Sequence, residues 1–301
     1  MTLLAREFEL IERVFARAAK RHDVTLSICD DAALTRVPAG YELVTTTDSL
    51  IAGTHFDHGA DPVSVGHRSL AVNLSDLAAM GAEPCWVSLA LHVPALDEAW
   101  VEGFANGFFA LAERHNIDLI GGDTVRGWLA ATVTAQGIVP EDAAVLRSGA
   151  HAGDALYVTG APGASAFARI YKDESLRSCF EFPAPRVREG VALRDVASAM
   201  IDVSDGLDSD IRQLLRASGL AAALDVQALP VDSRMVEQLG PLKAAELAMF
   251  GGEDYELLFA VPENLTRRLA DITAAWDVPV TRLGTLSDGA GLNWILDEAV
   301  Y

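Results

Sequence analysis

Apolar residues recur at Phe8, Leu10, Ile11, Val14, Phe15 and Ala18, a helical spacing that predicts an opening amphipathic helix. A short strand is expected over 26–28, leading into Asp30-Asp31, and a second over 42–48 after the Pro38-Ala39-Gly40 turn. Asp61-Pro62 reads as a helix start, with Asp as cap and Pro in the first turn, and the helix runs to about Met80, where Gly81 stops it. An apolar strand follows over 84–93. Asp97 then caps a helix reaching His115, and strands over 118–120 and 130–139 flank Gly121-Gly122-Asp123-Thr124. Periodicity lapses over 140–153 and then restarts. Strands are expected at 154–159, 222–226, 255–261 and 279–284, and helices at 164–172, 185–197, 207–218 and 263–276. Strands and helices alternate in both halves. The pattern predicts an α/β (α+β) protein of two domains, 1–140 and 150–301.

The length of 301 residues suits two domains or one large one. Half the residues are hydrophobic, enough for a sizeable core and against disorder as the main state. There are 43 acidic and 23 basic residues, a net charge of −20, which argues against a general nucleic-acid binder. Only Lys20, Lys172 and Lys243 are lysines. Cys29, Cys85 and Cys179 are far apart with no CxxC, so neither a disulfide framework nor a structural zinc site is expected. No run of about 18 apolar residues and no signal-peptide block occurs, so a cytoplasmic protein with no membrane partner is expected.

Where the acids fall is more informative than their number. Asp31, Asp48, Asp76, Asp123, Asp202 and Asp205 lie at expected strand ends or on a helix facing them. Carboxylates gathered there repel one another unless cations neutralise them, and Mg²⁺ takes such oxygen ligands together with phosphate oxygens. In the strand over 42–48, Thr46 and Asp48 share one face and Thr47 the other; an ordinary Thr-rich strand is the plainer account. Asn73 and Asp76 share a helix face that can present Asp76 toward Asp31 and Asp48, or can simply be a solvated polar face. Gly121-Gly122-Asp123-Thr124 allows a phosphate near the backbone, or is a tight turn. Asp202-Val203-Ser204-Asp205-Gly206 precedes a helix: Asp202 and Asp205 can hold cations while Ser204 meets phosphate, or Ser204 or Asp205 is a cap. Glu253, in Gly251-Gly252-Glu253-Asp254-Tyr255, can read a substrate or sit in a turn, and Arg147 can clamp a phosphate or be a surface arginine. No P-loop, no dinucleotide fingerprint after a strand and no protein-kinase signature set is present. A nucleotide enzyme built this way reaches phosphate through metals rather than through lysine.

Taken in order, these strings resemble the thiamine-phosphate kinase family, within the aminoimidazole ribonucleotide synthetase-like superfamily. They are Phe8-Glu9-Leu10-Ile11, Asp30-Asp31-Ala32-Ala33-Leu34, Thr46-Thr47-Asp48-Ser49-Leu50 continuing to Gly53-Thr54-His55-Phe56, and Asn73-Leu74-Ser75-Asp76-Leu77 with its flanks. Gly121-Gly122-Asp123-Thr124, Arg147-Ser148-Gly149-Ala150, Asp202-Val203-Ser204-Asp205-Gly206-Leu207 and Gly251-Gly252-Glu253-Asp254-Tyr255-Glu256-Leu257 complete the set. One such string is weak; the ordered set is specific. The resemblance implies an N-terminal domain whose strands pair across a homodimer and a C-terminal α/β domain. It implies ATP-dependent phosphorylation of thiamine monophosphate to thiamine diphosphate. Asp31, Thr46, Thr47, Asp48, Asp76, Asp123, Asp202 and Asp205 would bind several Mg²⁺ ions. Gly122, Asp123, Arg147 and Ser204 would contact ATP, and His55 and Glu253 would contact thiamine monophosphate. No residue is assigned as a general acid or base, because a phosphate monoester oxygen is already largely ionised near neutral pH.

Two positions depart from the family pattern. Cys29 stands where the family has Gly before the paired aspartates, and Tyr301 does not match the aromatic-rich C-terminal segment that helps cover the substrate. Other outcomes are a related ATP-dependent enzyme with another acceptor, or a non-catalytic nucleotide- or metal-binding paralogue. The C-terminal cysteine of the hydrogenase-maturation relatives is absent. Cys29 does not lie in a glycine-rich segment of the kind selenophosphate synthetases use.

Overall fold

The computed structural model describes residues 9–10, 12–28, 30–296 and the backbone of 299–300. Phe8, Ile11, Cys29 and Tyr301, on which some of the expectations above rest, lie outside the described residues. The chain divides into two compact units, 1–77 with 82–142, and 78–81 with 143–301.

In the first unit the opening helix ends at Phe15, so Ala18 lies beyond it. Strands β1 (Val24–Leu26) and β2 (Leu34–Thr35) form a small antiparallel pair. β3 (Tyr41–Ile51), β4 (Glu83–Val93), β5 (Asp118–Arg126) and β6 (Ala130–Pro140) form one sheet in the order β3-β6-β4-β5. β4 and β5 are parallel and are joined through the Glu98–Arg114 helix, the connection a parallel pair requires. Asp97 caps that helix, accepting from the Trp100 N–H. Asp61 likewise accepts from the Val63 N–H at the start of the Pro62–Ala79 helix. Buried and accessible residues alternate along β6, so one face of the sheet packs inward while the other shows Leu43, Thr45, Thr47 and Ile51 of β3.

The second unit holds β7 (Ala155–Thr159), β8 (Ala199–Val203), β9 (Leu220–Asp225), β10 (Glu256–Val261), β11 (Val280–Asp288), β12 (Gly291–Leu296) and β13 (Ala299–Val300). They form a sheet in the order β13-β12-β9-β11-β7-β10-β8, antiparallel except for β12 with β9. Ile211, Leu214 and Leu215 of the Leu207–Ser218 helix pack in one core with Ile201, Leu258 and Trp294 of the sheet. A smaller core gathers Phe167, Leu176, Met235 and Ala244 from surrounding helices. β10, flanked by β7 and β8, is buried at every residue, as an interior strand covered on both faces is.

Candidate functional site

In β3 the register pairs Thr46 with Ala135, Thr47 with Thr134 and Asp48 with Val133. Thr46 and Asp48 therefore share the inward face, while Thr47 points outward and shares a hydroxyl–hydroxyl hydrogen bond of 2.9 Å with Thr134. From Ser64 to Ala79 the helix is buried at every residue except the half-buried Asp76. Asn73 is fully buried and donates to the Ser69 carbonyl, so this is no solvated polar face. Asp76 is where the buried helix meets β3: its Oδ2 accepts from the Thr46 hydroxyl at 2.6 Å.

Gly121-Gly122-Asp123-Thr124 is not a turn. It lies inside β5, an edge strand, with Gly122 opposite Leu89 and Asp123 opposite Ala90. A Cβ on Gly122 would fall 1.9 Å from the Leu89 carbonyl oxygen, so close strand approach explains this glycine. Across the sheet Asp123 shares its row with Ala90, Thr132 and Ser49. It thus faces outward, opposite to Asp48. Because β3 and β5 are the two edges, Asp48 and Asp123 stand three strand spacings apart, about 14 Å. Asp31 is exposed, and its N–H bonds to the Asp30 carboxylate. Among the described residues no three His, Cys, Asp or Glu side chains are gathered closely enough to hold an ion.

His55 follows β3 in a turn tied back to Ile51. Its Nδ1 accepts from the Ile51 N–H at 3.0 Å, which leaves Nε2 to carry the proton of the neutral ring. Buried Arg68 donates to the His55 carbonyl at 2.8 Å and fixes the turn.

In the second unit two loops are joined through their backbones. Ser204 accepts from the Glu253 N–H and Val203 from the Tyr255 N–H, each at 2.8 Å. The segments holding Asp202, Ser204 and Asp205 and holding Glu253 are therefore neighbours. Asp202 is buried at the end of β8, and Asp205 is exposed. Neither Ser204 nor Asp205 caps the Leu207–Ser218 helix, whose N-cap is Gly206 without a side-chain bond. Buried Asp210 instead reaches back from the first turn, accepting from the Ser204 and Asp205 N–H groups at 3.0 and 3.1 Å. Its other oxygen accepts from Gln213, whose carbonyl in turn accepts from Arg147 at 3.0 Å. Burial pushes the Asp210 carboxyl up to about 6 against the pull of those N–H groups. Sequence reasoning did not single out Asp210 or Gln213. The available signal was an acid in the first helical turn, spaced to bond the loop before it.

A cleft of about 450 Å³ opens in this unit between Leu176, Phe182, Pro183, Val278 and Pro279, with Asp254 and Glu256 on its wall. Asp254 accepts from the Gly163 and Ser165 N–H groups at the start of a helix, yet desolvation pushes its carboxyl up to about 8. A raised folded-state value means the folded protein keeps a proton that the unfolded chain releases. Stability is thus fully present below about 3.8 and is lost as pH rises toward about 8. Water in the cleft screens the charge, so the loss expected is about 1–2 kcal/mol rather than the full linkage value. The urea midpoint should fall between pH 5 and pH 8, and Asp254→Asn should flatten that fall. An unchanged slope in the variant assigns the dependence to another group.

Two family models match the chain: AIR synthase related protein, N-terminal domain, over residues 29–139, and AIR synthase related protein, C-terminal domain, over 151–297. Thiamine-monophosphate kinase of Salmonella typhimurium is 45% identical, over 97% of this chain and 94% of that protein. The crystal structure of thiamine-monophosphate kinase from Stenotrophomonas maltophilia K279a is 42% identical with a TM-score of 0.91, over 97% of this chain and 98% of that one. A structure of AaThiL complexed with AMPPCP and TMP is 27% identical with a TM-score of 0.75, over 99% and 96% of the two chains. The two-domain AIR synthase-like fold and the length of these matches make this chain a member of the thiamine-monophosphate kinase family.

Proposed function

We propose that the chain transfers the γ-phosphoryl group of ATP to thiamine monophosphate, giving thiamine diphosphate and ADP. The 45% identity over 97% of the chain to a thiamine-monophosphate kinase carries this conclusion. AMPPCP in the AaThiL complex stands in for ATP, with a methylene in place of the β–γ bridging oxygen.

Asp31, Thr46, Thr47, Asp48, Asp76, Asp123, Asp202 and Asp205 would hold Mg²⁺. All eight offer hard carboxylate or hydroxyl oxygens, and Thr46 and Asp76 already stand 2.6 Å apart. Bound Mg²⁺ supplies charge neutralisation between two phosphate groups that otherwise repel. Gly122, Asp123, Arg147 and Ser204 would contact ATP. Arg147, tethered by Gln213, keeps a guanidinium on the same network that holds the Ser204 N–H. His55 and Glu253 would contact thiamine monophosphate. The acceptor oxygen is already ionised, so the side chains position and neutralise, and no general base is required.

The first unit would be the metal- and ATP-binding and dimerisation domain, in a cytoplasmic homodimer. No helix among the described residues is long and apolar enough to cross a membrane. Support for the dimer comes from the open sheet face, with Leu43 and Ile51 exposed at 46% and 41%. Purified protein with ATP, Mg²⁺ and thiamine monophosphate should yield thiamine diphosphate. No product at any enzyme level sinks the proposal, and ATP binding without turnover points to a non-catalytic paralogue.

A further inference from the structure

The segment from Gly251 to Tyr255 is held more tightly than a connection between elements requires. Gly252, Glu253 and Tyr255 all adopt left-handed φ values of 71°, 63° and 53°. This is uncommon for a non-glycine residue, and two such residues within three positions need support from their surroundings. The support is visible. The Glu253 and Tyr255 N–H groups are bonded to Ser204 and Val203, and the Asp254 carboxylate is bonded to Gly163 and Ser165. A Cβ on Gly252 would lie 2.8 Å from the Ser204 carbonyl oxygen, so the two loops approach as closely as glycine permits. One side-chain contact results from this backbone: the buried Tyr255 donates its hydroxyl to Glu253 Oε2 at 3.0 Å.

We propose that Tyr255 is a positioning residue for Glu253 in recognition of the phosphorylated acceptor. The proposal rests on Glu253 being a substrate contact. Glu253 is half-buried on a flexible side chain, and a carboxylate that meets the acceptor must be ordered when it binds. The phenol of Tyr255 is fixed by burial and by its left-handed backbone, so it holds the carboxylate in one orientation beforehand. The acceptor's nitrogen-bearing, cationic ring portion then meets an acid already aimed. Loss of the hydroxyl leaves the acid in place but removes this restraint on its orientation. That weakens acceptor binding without touching the nucleotide or the chemical step.

Steady-state kinetics of Tyr255→Phe, Glu253→Ala and the double variant, with acceptor and ATP varied in turn, test this alongside urea midpoints. Glu253→Ala should raise the KM for thiamine monophosphate about tenfold or more, and Tyr255→Phe about three- to tenfold. In Tyr255→Phe the KM for ATP and kcat should stay at wild-type values, and the urea midpoint should fall only slightly, because the ring remains and one hydrogen bond is lost. The double variant should match Glu253→Ala alone, since the effect of the hydroxyl on the acceptor runs through the Glu253 carboxylate. A flat acceptor KM in Glu253→Ala overturns the substrate contact and the positioning role together. A clear effect there with a flat Tyr255→Phe overturns the positioning role alone. So do effects that multiply in the double variant, or a Tyr255→Phe loss shared by ATP and by stability.

Discussion

Asp76→Asn should leave the protein folded and cut kcat by about a hundred- to a thousandfold, the scale seen when one preorganised charge-stabilising group is removed from a phosphoryl- or acyl-transfer site. The fold tolerates the change because Asn keeps the shape of the side chain and can still accept from the Thr46 hydroxyl, which lies 2.6 Å from Asp76 Oδ2. Asp76 is also the one half-buried residue on an otherwise buried stretch of helix, so no core contact is lost. What is lost is the negative charge, which is the property a hard divalent cation requires. The urea midpoint should remain near that of the wild type while turnover collapses, with stability changing by less than about 1 kcal/mol. Thr46→Val should have a smaller effect of the same kind, removing a hydroxyl that orients Asp76 and leaving the carboxylate. Turnover of Asp76→Asn within a few-fold of wild type removes Asp76 from the metal site.

Much of this arrangement was legible because short-range signals and tertiary structure agree. Asp61-Pro62 and Asp97 mark helix starts that the structure keeps, and the 207–218 periodicity matches its helix. The alternation of Thr46, Thr47 and Asp48 follows from strand geometry alone and appears in the observed register. Failures came where a residue answers to a distant neighbour. Gly121-Gly122 reads as a turn because glycine usually marks one, but Gly122 is required by the Leu89 carbonyl of the adjacent strand, which no local pattern reveals. Nor does the sequence pattern show that strand order puts Asp123 and Asp48 on opposite edges and faces of one sheet. Of the two alternatives for Ser204 and Asp205, capping does not hold: they give N–H groups to Asp210 from beyond the helix start. The Ser233–Leu239 and Pro241–Phe250 helices are not among the expected elements, although Asp232 caps the first and Pro241 opens the second.

Glu256→Ala should cost the second unit about 2–3 kcal/mol, below the roughly 3–5 kcal/mol typical of a fully buried ion pair because the arginine partner is only half-buried. Glu256 opens β10 and is 7% exposed. Arg186 clasps it in fork geometry, Nε to Oε2 at 2.7 Å and Nη2 to Oε1 at 2.5 Å. Thr159 donates its hydroxyl to the same carboxylate and accepts from the Leu257 N–H at 2.8 Å. Removing the carboxylate therefore leaves a half-buried guanidinium and a buried hydroxyl without their acceptor. The cost is that of orphaned groups rather than of the pair's net attraction, and a second variant separates the two. Replacing both partners, Arg186→Met with Glu256→Leu, removes the charge along with its counter-charge and should recover most of the loss. A residue of about 1 kcal/mol should remain for the Thr159 hydroxyl, which the apolar pair cannot satisfy. Urea midpoints of the two single variants and the double decide the matter. A double variant as unstable as Glu256→Ala would mean that the fork contributes packing or directional bonding that apolar side chains of similar size cannot replace. Because Glu256 directly follows Tyr255, the same pair anchors the start of β10 and with it the loop that carries Glu253. Acceptor KM should accordingly rise in Glu256→Ala and return toward wild type in the double variant, in step with the recovery of stability.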